Sequence, residues 1–191
     1  MKRYIAVSLA LLMAGPVMAG DLSYNYIEGS YQRVELDAGA FDVKANAYSI
    51  GGSFEIGENA FVFANYSTAD FDEGIDLTEL DLGIGYAVAI SGNIDFYGKL
   101  AWITTEADVN GFNSLDDSGI GAAIGVRGMV TPAVELFGEI SYVDLDDTGD
   151  GTTIGGGAWW NLNESFALGI NIQNDDDVTA YGASARFYFG K

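Results

Sequence analysis

The segment Thr78–Ile90 reads T-E-L-D-L-G-I-G-Y-A-V-A-I. Leu80, Leu82, Ile84, Tyr86, Val88 and Ile90 fall on one side of an extended chain, and Glu79, Asp81, Gly83, Gly85, Ala87 and Ala89 on the other. Successive side chains of a strand point to opposite faces, so a period of two commits this stretch to a β-strand. A soluble sheet turns such an apolar face inward. A membrane barrel inverts the pattern, showing the apolar face to lipid and keeping polar or small residues in the lumen. One strand fits either case, and the rest of the chain must decide.

From Asp21 the alternation recurs about ten times. Leu22, Tyr24 and Tyr26 open a first strand that runs to about Val34, and Tyr48, Ile50, Phe54 and Ile56 mark the second. The third places Val62, Ala64 and Tyr66 on one face, with Phe61 and Phe63 opposite. The segment Thr78–Ile90 is the fourth. In the fifth, Ile94, Phe96, Leu100 and Trp102 alternate with Asp95, Tyr97 and Lys99. The sixth carries Ile120 to Val130 and the seventh Val134 to Tyr142, joined by the turn Thr131-Pro132-Ala133. Ile154 to Leu162, Phe166 to Ile172 and Tyr181 to Phe189 complete the set.

Strands of ~9–11 residues are long enough to cross a tilted bilayer path. Aromatic residues gather near the ends of the apolar faces. Tyr48, Tyr66, Trp102, Tyr142 and Tyr181 lie at one end, and Phe54, Phe96, Phe166 and Phe189 at the other. That is the distribution of interfacial girdles. Short turns on one side alternate with longer connections on the other, about 35–42, 69–79, 106–117, 144–150 and 174–177. These five hold 19 of the 28 acidic residues and no Lys or Arg, so one rim is expected to be strongly anionic.

The N-terminus has Lys2 and Arg3, a short apolar core from Ile5 to about Ala14, and small residues around Ala19. Those are the three regions of a secretory signal peptide, expected to span residues 1–19 and to leave residues 20–191 as one barrel domain. Without Lys2 and Arg3, six basic residues face the 28 acids, which argues against nucleic acid as a partner. The chain has no cysteine, so stability must come from the sheet itself. It has no histidine either, which removes the usual near-neutral base of barrel hydrolases, and no catalytic role is expected.

The segment Leu22-Ser23-Tyr24-Asn25-Tyr26-Ile27-Glu28-Gly29-Ser30-Tyr31 resembles the start of the small, acidic, diffusible-signal-factor-regulated outer-membrane proteins, within the OmpA-like small-barrel class. The resemblance implies an outer-membrane location, a single barrel and no catalytic residues. The terminal strand, with Tyr181, Gly182, Phe187 and Phe189, resembles the signal read by the barrel-assembly machinery, although Gly190 and Lys191 follow the last Phe.

Two groups of residues are candidates for function. Asp144, Asp146, Asp147 and Asp150, with Gly149 and Gly151, resemble a calcium loop in composition but lack the bidentate Glu that ends an EF-hand loop. Diffuse divalent cations bridging to lipopolysaccharide are the milder expectation there, and no cofactor is expected. Inside the barrel, alternation places Glu55, Asp81, Lys99, Arg127, Glu135, Glu139 and Arg186. Charges removed from bulk water need partners, so a lumen network that plugs the barrel is expected. Counting through the turn at 131–133 sets Arg127 opposite Phe137, with Glu135 and Glu139 as its diagonal neighbours. The reading is therefore an all-β, ten-stranded, up-and-down outer-membrane barrel, monomeric and embedded among lipid and lipopolysaccharide. The alternatives are a narrow channel and a soluble periplasmic barrel that binds a lipid-like ligand.

Overall fold

The computed structural model describes residues 22–37, 42–71, 74–109 and 114–190. The expected signal peptide lies outside them. The ten strands are β1 (Tyr26–Asp37), β2 (Asp42–Glu55), β3 (Ala60–Phe71), β4 (Ile75–Ser91), β5 (Ile94–Val109), β6 (Leu115–Thr131), β7 (Val134–Leu145), β8 (Gly149–Asn161), β9 (Phe166–Asp175) and β10 (Val178–Tyr188). Every neighbouring pair is antiparallel, and β1 pairs with both β2 and β10, so the sheet closes with no free edge. Closure satisfies the backbone polar groups that an open edge would leave bare.

Residues 22–25 and 189–190 and the connections at 56–59, 92–93, 132–133 and 162–165 share one rim; the opposite strand ends, with the turns at 146–148 and 176–177, form the other. Side-chain hydrogen bonds tighten the first rim. Thr131 Oγ1 accepts from the Val134 amide at 3.0 Å, and Asn163 Oδ1 from the Phe166 amide at 3.0 Å. Arg127 pairs with Phe137 as the spacing predicts, with Val130 bulged between Met129 and Thr131 beside the turn.

The outer surface is apolar over the middle of the barrel. Ile50, Leu82, Ile84, Leu100, Ile124, Ile140 and Ile170 are all exposed. Exposed Tyr31, Tyr48, Tyr66, Trp102, Tyr142 and Tyr181 bound this band toward the far rim, and Phe54, Tyr86, Phe96, Trp160, Phe166 and Phe187 bound it toward the chain ends. Phe189 follows β10 and stacks on Phe54, with ring centroids 6.4 Å apart.

Beyond the upper girdle the pattern turns over. Val34, Leu36, Ala69, Phe71, Val143 and Leu145 are buried, while Asp37, Asp70 and Asp144 are exposed between them. The stretches expected to be long acidic connections are therefore mostly strand. Here water surrounds the barrel, and the ordinary apolar-in, polar-out arrangement returns. Val34, Ala45, Ala47, Ala69, Phe71 and Ala180 form one apolar cluster inside this end, and Ile103, Val143 and Leu145 another.

Candidate functional site

The barrel interior holds the chemistry. Three ion pairs lie along its wall, each buried on both sides. Lys99 Nζ lies 2.7 Å from Glu139. Arg127 donates through Nε to Glu135 at 2.6 Å and pairs with the same carboxylate through Nη2. Arg186 donates to Glu28 Oε2 through Nε at 2.9 Å and Nη2 at 2.7 Å. In a low-dielectric interior an unpaired charge is costly, so pairing is what allows these residues to sit there.

The register explains each pair. Glu28 and Arg186 are direct partners across the β1–β10 seam. Lys99 on β5 reaches over the small residues Ala123 and Gly125 of β6 to Glu139 on β7. Arg127 takes Glu135, its diagonal neighbour on β7, and faces Asp95 directly across on β5. Of the two diagonal neighbours expected for Arg127, it pairs with Glu135 and not with Glu139. Lys99, one strand away, is the cation paired with Glu139, and the second carboxylate beside Arg127 is Asp95.

Asp81 accepts a hydrogen bond from Asn65 Nδ2 at 3.3 Å, and the two residues are register partners. Glu55 stands apart from the ion pairs. Its carboxylate accepts the Tyr24 amide at 2.8 Å and Asn25 Nδ2 at 3.0 Å, while its own amide donates to Asn25 Oδ1 at 3.0 Å. Residues 22–25 precede β1 and do not belong to it, yet Leu22, Ser23 and Tyr24 are fully enclosed. The opening residues expected to begin the first strand thus enter the barrel mouth, and Glu55 anchors them there.

Aromatic rings surround the pairs. Tyr24 stacks on Phe61 with centroids 4.1 Å apart, in a cluster with Ala87 and Tyr97. The Arg186 guanidinium lies 3.9 Å from the Trp159 ring and 4.1 Å from that of Tyr26. A cation against a π face gains electrostatic attraction without another counter-ion. The inward glycines make room for these rings. Gly85 and Gly83 are register partners of Phe61 and Phe63, Gly125 of Tyr97, and Gly169 of Trp159. A Cβ at Gly169 would lie 2.7 Å from the Trp159 ring, and one at Gly85 would overlap Phe61. The inward Phe61 and Phe63 of β3 fill that space.

The remaining acidic candidates lie on the far rim. Asp144 and Asp150 are opposite each other at the ends of β7 and β8, and 146–148 make the turn between. The Asp117 carboxylate pins that turn, accepting the Thr148 hydroxyl at 2.7 Å, the Thr148 amide at 2.9 Å and the Asp147 amide at 3.2 Å. A calcium loop converges oxygens on a centre, whereas this turn points amide donors at a carboxylate. Among the described residues, no group of three or more acidic side chains is arranged to hold a metal ion. Partial burial works to raise the Asp117 pKa, but the Thr148 hydroxyl and the Ser118, Asp147 and Thr148 amides together hold it below the ordinary value.

Sequence reasoning missed Glu28 as a network member and left Asp95 and Glu79 without a role, although all three are buried. Glu28 has the inward parity of Tyr26, a signal that becomes useful once β1 is known to meet β10. In the terminal strand, Tyr181 and Phe187 face outward, and Gly182 packs closely on the Tyr31 and Gln32 backbone.

Solved structures share the architecture at low sequence identity. An outer membrane channel from Pseudomonas putida F1 aligns with a TM-score of 0.59 and 12% identity, covering 93% of this chain and all of that one (100%). The translocator domain of the autotransporter NalP from Neisseria meningitidis aligns with a TM-score of 0.51 and 9% identity, covering 86% and 87% of the two chains. No curated protein matches by sequence. The apolar exterior between two girdles, around a charged interior, overturns the soluble-barrel alternative. The model of the outer membrane protein beta-barrel domain matches residues 5–189, and the chain belongs to that family as an integral outer-membrane β-barrel.

Proposed function

We propose that this is a closed barrel with a structural or surface-interaction role, in which the rim opposite the chain ends faces the exterior and presents an acidic surface. The observation that carries the reading is the cross-section at the ion pairs. Lys99–Glu139, Arg127–Glu135 and Arg186–Glu28 bridge neighbouring walls among Tyr24, Phe61, Tyr97 and Trp159. Barrels of about eight strands are filled by their own side chains, and ten strands enclose only slightly more. The apolar clusters toward the far rim and the segment 22–25 at the near mouth support closure from both ends. The role is non-catalytic and cofactor-free. Removal of residues 1–19 yields the working barrel, which is monomeric and contacts lipid and lipopolysaccharide. The barrel-assembly machinery reads its terminal strand during biogenesis. Divalent cations gather only diffusely at the acidic rim.

The rival reading is a narrow channel; the Pseudomonas putida protein is an outer membrane channel, and its likeness at 12% identity concerns the fold. Planar-bilayer recording separates the two. The wild-type barrel is expected to show no conductance, and stable, reproducible single-channel steps would overturn the closed lumen in favour of the channel.

A further inference from the structure

We infer that the outer face of β10, β1 and β2, just beyond the upper aromatic girdle, binds the phosphorylated headgroup of an outer-leaflet lipid through Arg33 and Lys44. Lys99, Arg127 and Arg186 are buried in the interior, so Arg33 and Lys44 are the outward-facing basic residues among those described. In a chain with 28 acidic residues these two stand together, on adjacent strands and at one height. Arg33 pairs in register with Asn46 on β2 and Tyr181 on β10, and Lys44 pairs with Glu35. Both lie one outward step or two beyond Tyr31 and Tyr48. Girdle aromatics mark the headgroup level, so cations just past them meet lipid phosphates.

The local hydrogen bonds shape the site. Asn46 Oδ1 accepts Arg33 Nη1 at 2.9 Å and the Tyr31 hydroxyl at 2.8 Å, which holds the guanidinium through a neutral acceptor. Glu35 accepts Lys44 at 3.0 Å and the Tyr181 hydroxyl at 3.3 Å. The Lys44 hydrogen bond, with Arg33 contributing, holds the Glu35 carboxyl below the ordinary range, so one carboxylate stands among two cations. The two cations can both turn to a phosphate, and guanidinium forks match phosphate oxygens. Tyr31 and Tyr48, with centroids 5.4 Å apart and rings inclined at 51°, supply an aromatic wall for the sugar and acyl portions. Asp70, opposite Asn46 on β3, bounds the site on its acidic flank.

The inference rests on the membrane orientation proposed above and not on the closed lumen, so conductance data leave it unaffected. The test is native mass spectrometry of the full barrel in detergent micelles, titrated with bisphosphorylated lipid A and with the same lipid stripped of phosphate. Wild type should prefer the phosphorylated lipid. The Arg33→Gln/Lys44→Gln double variant should bind it about tenfold more weakly, and Glu35→Gln should bind it more tightly. Gel mobility before and after heating confirms that each variant is folded, and Glu35→Gln carries the test if the double variant is not. Equal binding of the two lipids, or unchanged affinity in the substituted barrels, overturns the proposal. Full displacement by inorganic phosphate would show a free-anion site and overturn the assignment to lipid.

Discussion

Replacing Arg186 with Met is expected to destabilise the barrel more than any surface change. The Arg186 side chain is 0% exposed and that of Glu28 4%, so the substitution strands a carboxylate away from water. Breaking a buried pair from one side costs about 3–5 kcal/mol. Loss of the two close ring contacts, to Trp159 and Tyr26, adds on the order of 1 kcal/mol. The expected total is about 5 kcal/mol, because the methionine side chain recovers part of the packing. If the stranded charge is the cause, removing it should relieve the loss. The double variant Arg186→Met/Glu28→Leu should therefore cost about 2 kcal/mol or less, so that the coupling between the positions is about 3 kcal/mol plus whatever Glu28→Leu costs alone. Urea unfolding in lipid vesicles, followed by tryptophan fluorescence, measures Arg186→Met, Glu28→Leu and the double variant, and Trp159 reports on the site directly. A single-variant loss below about 1 kcal/mol, the range of an exposed pair, would refute the reasoning. So would strict additivity, since it would mean that Glu28 is no worse off alone.

Arg127→Met should cost on the order of 3 kcal/mol, against roughly 0.5 kcal/mol for the exposed Lys44→Met in the same unfolding assay. Equal small losses would mean that Arg127 faces solvent. Gly85→Leu should lose about 1–3 kcal/mol by overpacking against Phe61, and Phe61→Ala in the same chain should recover part of it. No recovery would rule out ring–glycine complementarity. At the far rim, Asp117 has a depressed pKa, so its anchoring is present above the ordinary Asp value of about 3.9 and is lost as pH falls through the lower folded value. Hydrogen exchange at the Asp147 and Thr148 amides should show protection at neutral pH that is lost in acid and absent in Asp117→Ala. Protection independent of pH would contradict the hydrogen-bond assignment.

By itself the sequence determined the period, the number of strands, the apolar exterior and most of the interior charges. These are local properties, since a side chain's face follows from its parity along one strand. The turn at 131–133 even placed Arg127 opposite Phe137. The reversal beyond the girdle was also written locally. Val34-Glu35-Leu36-Asp37, Ala69-Asp70-Phe71 and Val143-Asp144-Leu145 alternate as strictly as the membrane segments, with the opposite parity. Their acidity read as loop because only that reversal of parity marks the change of surroundings from lipid to water. Only the tertiary structure decided which charges meet. Glu28 and Arg186 are 158 positions apart and become partners when the last strand closes on the first. The pairing of β1 with β2 brings the segment 22–25 to Glu55, and that of β3 with β4 seats Phe61 on Gly85. Parity assigns each side chain to a face, but its neighbour on that face belongs to another strand. That neighbour exists only once the sheet has closed.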